Sequence, residues 1–166
     1  MASPTFRSKA SGGGSAAADV TNNVPSGTAD DDILIFALSK DNTNAVTWPG
    51  GWNIIVEATQ NSFYLGLGWK RASSEPASYT WTFTSVWRDS VMLAYQGAAS
   101  AAQASNPLDP DTPPAGNSGT GSITSITVPD VTTTTVDTIM LAICNDIAIS
   151  GWSAAPAGWT QREAGG

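Results

Sequence analysis

From Val20 onward the apolar residues come in short β-branched, aromatic and aliphatic runs cut by Pro, Gly, Asn and Asp, and nowhere do they recur at a helical period of 3.6. That texture predicts an all-β fold. The plainest strand covers residues 79–84, where Tyr79, Trp81 and Phe83 alternate with three threonines, so one face meets a core and the other meets water. Residues 63–69 alternate in the same way. Phe63, Leu65, Leu67 and Trp69 share one face, and Tyr64, Gly66 and Gly68 leave the other thin enough for a neighbour to approach closely. Residues 33–38 and 139–143 are unbroken apolar runs, short for a helix but suited to central strands buried on both faces. Residues 52–57, 91–95 and 122–128 complete an inventory of about seven strands. Their spacing and turn chemistry favour a jelly-roll-like two-sheet β-sandwich.

The segments outside these strands have distinct compositions. Residues 1–18 are rich in Ser, Gly and Ala, which gain little by ordering, and are expected to form a flexible N-terminal arm ahead of a sandwich domain at 19–166. They carry Arg7 and Lys9 but no hydrophobic core of a signal peptide, so they do not read as a secretory leader. Residues 97–121, rich in Ala, Ser, Pro, Gly and Asp, are expected to form a long surface connection.

The chain also echoes itself. Val24-Pro25, then Asp32 and its apolar run, then Pro49-Gly50-Gly51-Trp52 recur as Val128-Pro129, Asp137 and its apolar run, and Pro156-Ala157-Gly158-Trp159, at offsets of 104 to 107 residues. In each half Pro and Gly make a turn and the tryptophan after it packs a large ring at the mouth of the core. The second half stops at Gly166, soon after its Trp, whereas the first continues through further strands. The expectation is that another chain supplies the missing edge, or that the natural polypeptide runs on.

Composition removes several chemistries. The 166 residues fit one domain, with a core that needs no disulfides, and the single Cys144 can form none within the chain. Seven Lys and Arg against 14 Asp and Glu give a net charge of −7 and leave no basic surface for phosphates, so nucleic acid is not an expected partner. With no histidine, Ser-His-Asp and Cys-His catalysis are excluded, and one cysteine cannot build a thiolate zinc site. The longest apolar run has six residues, against the about 18 that a membrane helix needs, so no membrane span is expected.

Asp30-Asp31-Asp32 is the one acidic run. Carboxylates can hold Ca²⁺, but the spacing matches no EF-hand and adjacent strand residues diverge, so a charged turn is the plainer reading, as for Asp109 and Asp111. Glu57, Glu75 and Asp89 could supply the paired carboxylates of a glycosidase, yet nothing in their surroundings singles them out. Neither metal, cofactor nor catalytic residue is expected, and Cys144 reads as an inert buried thiol. Of the seven tryptophans, Trp52, Trp69, Trp81 and Trp159 fall at core positions; Trp48, Trp87 and Trp152 fall in loop-like contexts and are candidates for a protein interface or a glycan platform.

Taken in order, VPSGTADDDILI, WPGGW, WKRASSEPASYTWTF, AYQGA, NPLD and PAGWT resemble a jelly-roll-like β-sandwich domain found in tailed-phage virion proteins and in some secreted bacterial proteins. The resemblance spans residues 24–159. It departs where Asp31-Asp32 replaces the usual Gly-Asp, and where such domains continue past the second Pro-x-Gly-Trp. It implies a structural virion subunit without enzymatic activity, a capsid decoration or head-fibre protein, with a tail appendage as the near variant. Implied partners are the major capsid protein or other virion subunits and further copies of the chain, a trimer being the first guess. Assembly takes place in the host cytoplasm and the final location is the virion surface. Phe6, Arg7 and Lys9 then become candidate contacts of an attachment arm. The alternative is a carbohydrate-binding module that adheres to host glycans through exposed aromatics, and a carboxylate hydrolase is a third option.

Overall fold

A computed structural model of the chain describes residues 3–60, 62–98 and 106–108, together with 139, 141, 157, 160 and 162. Among these residues there is no helix. Five strands, β1 (Thr5–Asn23), β2 (Ile33–Lys40), β3 (Asn53–Gln60), β4 (Phe63–Arg71) and β5 (Ser78–Gln96), form one antiparallel sheet in the order β1-β5-β2-β4-β3. The all-β expectation holds, but the described residues form one sheet rather than two. The strands expected at 122–128 and 139–143, the 97–121 connection and the second half of the internal echo lie largely outside the described residues, as do Asp109, Asp111, Cys144, Trp152 and Trp159.

Central β2 shows why an unbroken apolar run belongs here. It is paired on both edges, with β4 and with β5, and buried on both faces. Leu34, Phe36 and Leu38 enter a core with Val20, Tyr64, Ala72, Trp81, Met92 and Ala94, against which Trp48, Trp52, Tyr79 and Phe83 pack. Ile33 and Ile35 enter another with Trp69, Leu93 and Tyr95, to which Phe6, Leu67, Ala98 and Leu108 add. The thin face of β4 is explained by close approach. A Cβ on Gly66 would lie 2.6 Å from the Tyr64 hydroxyl, and one on Gly68 would lie 2.6 Å from the Trp48 ring.

The first core is closed by the sheet itself. β1 and β5, each 19 residues long, make a ribbon whose register jumps between Ala17↔Val86 and Asp19↔Thr82, leaving residues 83–85 of β5 opposite Ala18. Past this corner the ribbon folds back, so that Trp81 of β5 stacks on Phe36 of β2 with centroids 3.5 Å apart and planes 7° from parallel. The Asn22 amide donates to the Ala10 carbonyl of the same strand at 3.1 Å, although 12 residues of straight strand would hold them roughly 40 Å apart. The loop after β2 pins the folded end from its other side through the Thr47↔Thr82 bridge. Bulged corners of this kind let one strand take part in two layers. The sequence suggested separate strands at 79–84 and 91–95; the structure joins them, because residues 84–90, polar apart from Val86 and Trp87, carry β5 through the corner.

Residues 1–18, expected as a free arm, differ most from expectation. β1 runs without a break across the 18/19 boundary, and residues 5–17 pair with β5 from Gln96 to Val86. Two of the three glycines that suggested a linker, Gly12 and Gly13, are demanded by crowding. A Cβ on Gly12 would lie 2.4 Å from Asn22 Oδ1, and one on Gly13 would lie 2.6 Å from Arg88 O and from Asp89 Cα, with φ at +118°.

Candidate interaction surface

Several charged residues of the described chain are drawn into the fold in four groups, while Lys9, Asp19, Asp30, Asp31 and Asp41 are exposed. In the first, Arg7 grips Asp32 with two nitrogens, Nη2 to Oδ1 at 3.1 Å and Nε to Oδ2 at 2.7 Å, while the Ala29 amide donates to the same carboxylate at 2.9 Å. Nη2 donates the hydrogen bond and Nε makes an ion contact, and with Asp32 buried the pair fastens β1 to the turn before β2. Its neighbours on the acidic run turn elsewhere: Asp30 Oδ1 accepts from the Ser74 amide at 2.8 Å, and Asp31, at φ 70°, faces Arg71 at 3.9 Å. Among the described residues no three acidic, His or Cys side chains are grouped to hold a metal.

The second group surrounds Lys40, which is 1% exposed at the end of β2. Its ammonium donates to the Asn42 carbonyl at 3.0 Å, to Asn42 Oδ1 and to the Asn44 carbonyl, and lies 4.5 Å over the Tyr64 ring. Burial lowers its pKa, opposed by the charge of Glu57. Glu57 in turn accepts from Trp48 Nε1 at 3.0 Å and from the Tyr64 hydroxyl, and burial together with this carboxylate drives the Tyr64 pKa far above the ordinary phenol value.

In the third group Glu75 accepts from Lys70, from the Tyr79 hydroxyl and, at 2.8 Å, from the Ser73 amide. Burial works against its charge, but these donors outweigh it and hold the carboxyl below its usual range. The fourth group fills the ribbon corner. Arg88 Nε donates to the Asp19 carbonyl at 2.7 Å and Nη1 to the Ser15 carbonyl and hydroxyl, satisfying backbone groups that the bulges take out of the ladder. Beside it the Ser90 hydroxyl bridges to the Gly12 carbonyl at 2.9 Å and to Asn22 Oδ1 at 2.7 Å.

These placements sort the residues singled out from the sequence. Trp48 is half-buried against Phe36, Trp52 and Trp81, so it is part of the core wall rather than an exposed platform. Trp81 and Trp69 are buried, in the first and second cores, and Trp52 packs on the first, as their positions suggested. Trp87 is 46% exposed, next to the corner, with Ala16 opposite it on β1 and its carbonyl accepting from the Asp41 amide at 3.1 Å. Of the arm candidates, Phe6 packs edge-on to Tyr95 at 5.7 Å with Arg162 4.3 Å over its face, Arg7 holds Asp32, and Lys9 is exposed on β1. Glu57 and Glu75 sit in separate networks, and Asp89 accepts from the Ser90 amide at 2.8 Å on β5. Arg88, Ser90, Asn22 and Lys40 went unmarked in the sequence. Their one signal is a polar residue inside or at the end of a strand pattern, which does not say what it will meet.

Among the described residues, what remains outward, large and apolar is Ile54, Ile139, Leu141 and one aromatic, beside the sheet's two edges. β3 is an edge strand with Ile54 49% exposed, β1 is the opposite edge, and Trp87 stands near the corner. Comparison with family models, with curated proteins and with solved structures finds no match for the chain.

Proposed function

We propose that this chain is a structural subunit of a tailed-phage virion, seated on the capsid surface as a decoration protein, with a tail appendage as the near variant. The observation that carries the reading is how the charged side chains are used: Arg7, Lys40, Lys70, Glu75 and Arg88 hold loops and strands together, whereas the large apolar side chains turned outward among the described residues are Ile54, Trp87, Ile139 and Leu141, Trp87 being the aromatic one. The motif order of residues 24–159 supports the virion assignment, and the acidic balance suits a surface that must not cling to nucleic acid. The finer jelly-roll form belongs to the same proposal. The apolar face of Ile33, Ile35, Trp69, Leu93 and Tyr95 is the one that a second sheet would cover. Partners on this reading are the major capsid protein and further copies of the chain.

The test is co-purification with intact particles. Recovery in fixed ratio to the shell, with labelling at its outer surface, is the expected result. Trp87→Ala should weaken that attachment while changing stability by no more than about 0.5 kcal/mol. The exposure of Trp87 also favours a second reading, a glycan-binding module, because an exposed indole can stack on a sugar face. Retention on host polysaccharide that is lost in Trp87→Ala, with no association with particles, would overturn the virion reading in favour of that one.

A further inference from the structure

The N-terminal half of β1 is attached in a way that invites exchange. From Thr5 to Asp19 no side chain is fully buried; the first that is so is Val20. The segment is therefore held mostly by its ladder to β5, supplemented by side-chain contacts that include the Arg7–Asp32 pair, Phe6 with Tyr95 and Arg162, the Ser8 hydroxyl to the Ser26 carbonyl at 2.6 Å, and the bonds from Asn22 to the Ala10 carbonyl and from Ser90 to the Gly12 carbonyl. At its inner end Gly13 and Gly14 both have positive φ, +118° and +76°, and a bulge separates Gly13 from Ser15. Nothing lies within 4 Å of where a Cβ on Gly14 would be, so the turn at this point is uncrowded on its side-chain side, next to a Gly13 packed on β5.

We infer that residues 5–13 exchange between copies of this chain, each copy laying its strand on the neighbour's β5 in the register it now makes with its own. The occupant is a second copy because its strand fits by identity. Arg7 would meet the neighbour's Asp32 and Phe6 the neighbour's Tyr95, so the same fastenings form between chains as within one. Exchange of an identical element is a low-cost route to a closed assembly, and a short hinge favours it. Nine residues of strand reach roughly 30 Å, enough to cross to an adjacent subunit. The inference rests on the chain being an assembling subunit, but its test needs no particle.

Thr5 and Gln96 are exposed and directly opposed across the ladder. In a Cys144→Ser background, Thr5→Cys with Gln96→Cys should give covalent dimers or larger species on mild oxidation, and light scattering of the unoxidised protein should give the same subunit number. Inserting Gly-Gly-Ser after Gly14 lets the strand fold back on its own chain and should shift the mass to monomer. A disulfide formed within single chains, a monomeric mass before the insertion, or an oligomer that the insertion leaves unchanged would overturn the exchange. A monomer that still decorates particles would remove the exchange and leave the virion reading standing; exchange without particle binding would do the reverse.

Discussion

Replacing Asn22 by alanine removes the amide that bonds the Ala10 carbonyl and the oxygen that receives the Ser90 hydroxyl, in a place that water does not reach. A buried acceptor left without its donor costs about 1–3 kcal/mol. The urea midpoint of Asn22→Ala should fall accordingly at an unchanged denaturant slope. Glu75 gives the pH response. Its carboxyl lies below the ordinary range when folded, so its stabilising contribution is complete above the unfolded value of about 4.3 and is lost as pH falls through the folded value. Thermal denaturation from about pH 7 to about pH 3 should therefore show a shallower acid loss for Glu75→Gln than for the wild type, with the variant less stable at neutral pH. Neither role was legible in the sequence. Nothing singled Glu75 out from Glu57 and Asp89, and Asn22 went unmarked, because its partner Ser90 lies 68 residues away and leaves no trace in local pattern.

Strands β2 and β4 and both ends of β5 could be read from alternation and apolar runs, since burial of one or both faces writes itself into side-chain period. β1 could not. A strand bonded through its backbone, with glycines where another chain segment presses close, has the composition of a linker. Gly13→Ala separates the two interpretations. A linker would accept the methyl group, whereas here it meets backbone at 2.6 Å and a φ of +118° that disfavours any Cβ. A cost of about 1–3 kcal/mol is expected. It should appear in hydrogen exchange as faster opening of residues 5–13 while β2 and β4 keep their protection.

For the molecule as a whole, the joint that matters is the stack of Trp81 on Phe36, which locks the folded-back ribbon to the sheet. Trp81→Ala should cost about 3–5 kcal/mol, a large part of the about 5–15 kcal/mol typical of a domain. Loss of the near-ultraviolet circular dichroism signal with β content retained would be its signature. The sequence suggested two layers from about seven strands; a single ribbon covering its own sheet lay beyond it, because the corner depends on Arg88 and on bulges that no period announces. The pairing of Thr5 with Gln96 also sets an order of events during synthesis. β1 leaves the ribosome long before the strand it needs, and must wait unpaired. A wait of that kind is hazardous for a sticky segment. The Ser, Gly and Ala that give β1 its plain composition keep it harmless to its neighbours until β5 arrives.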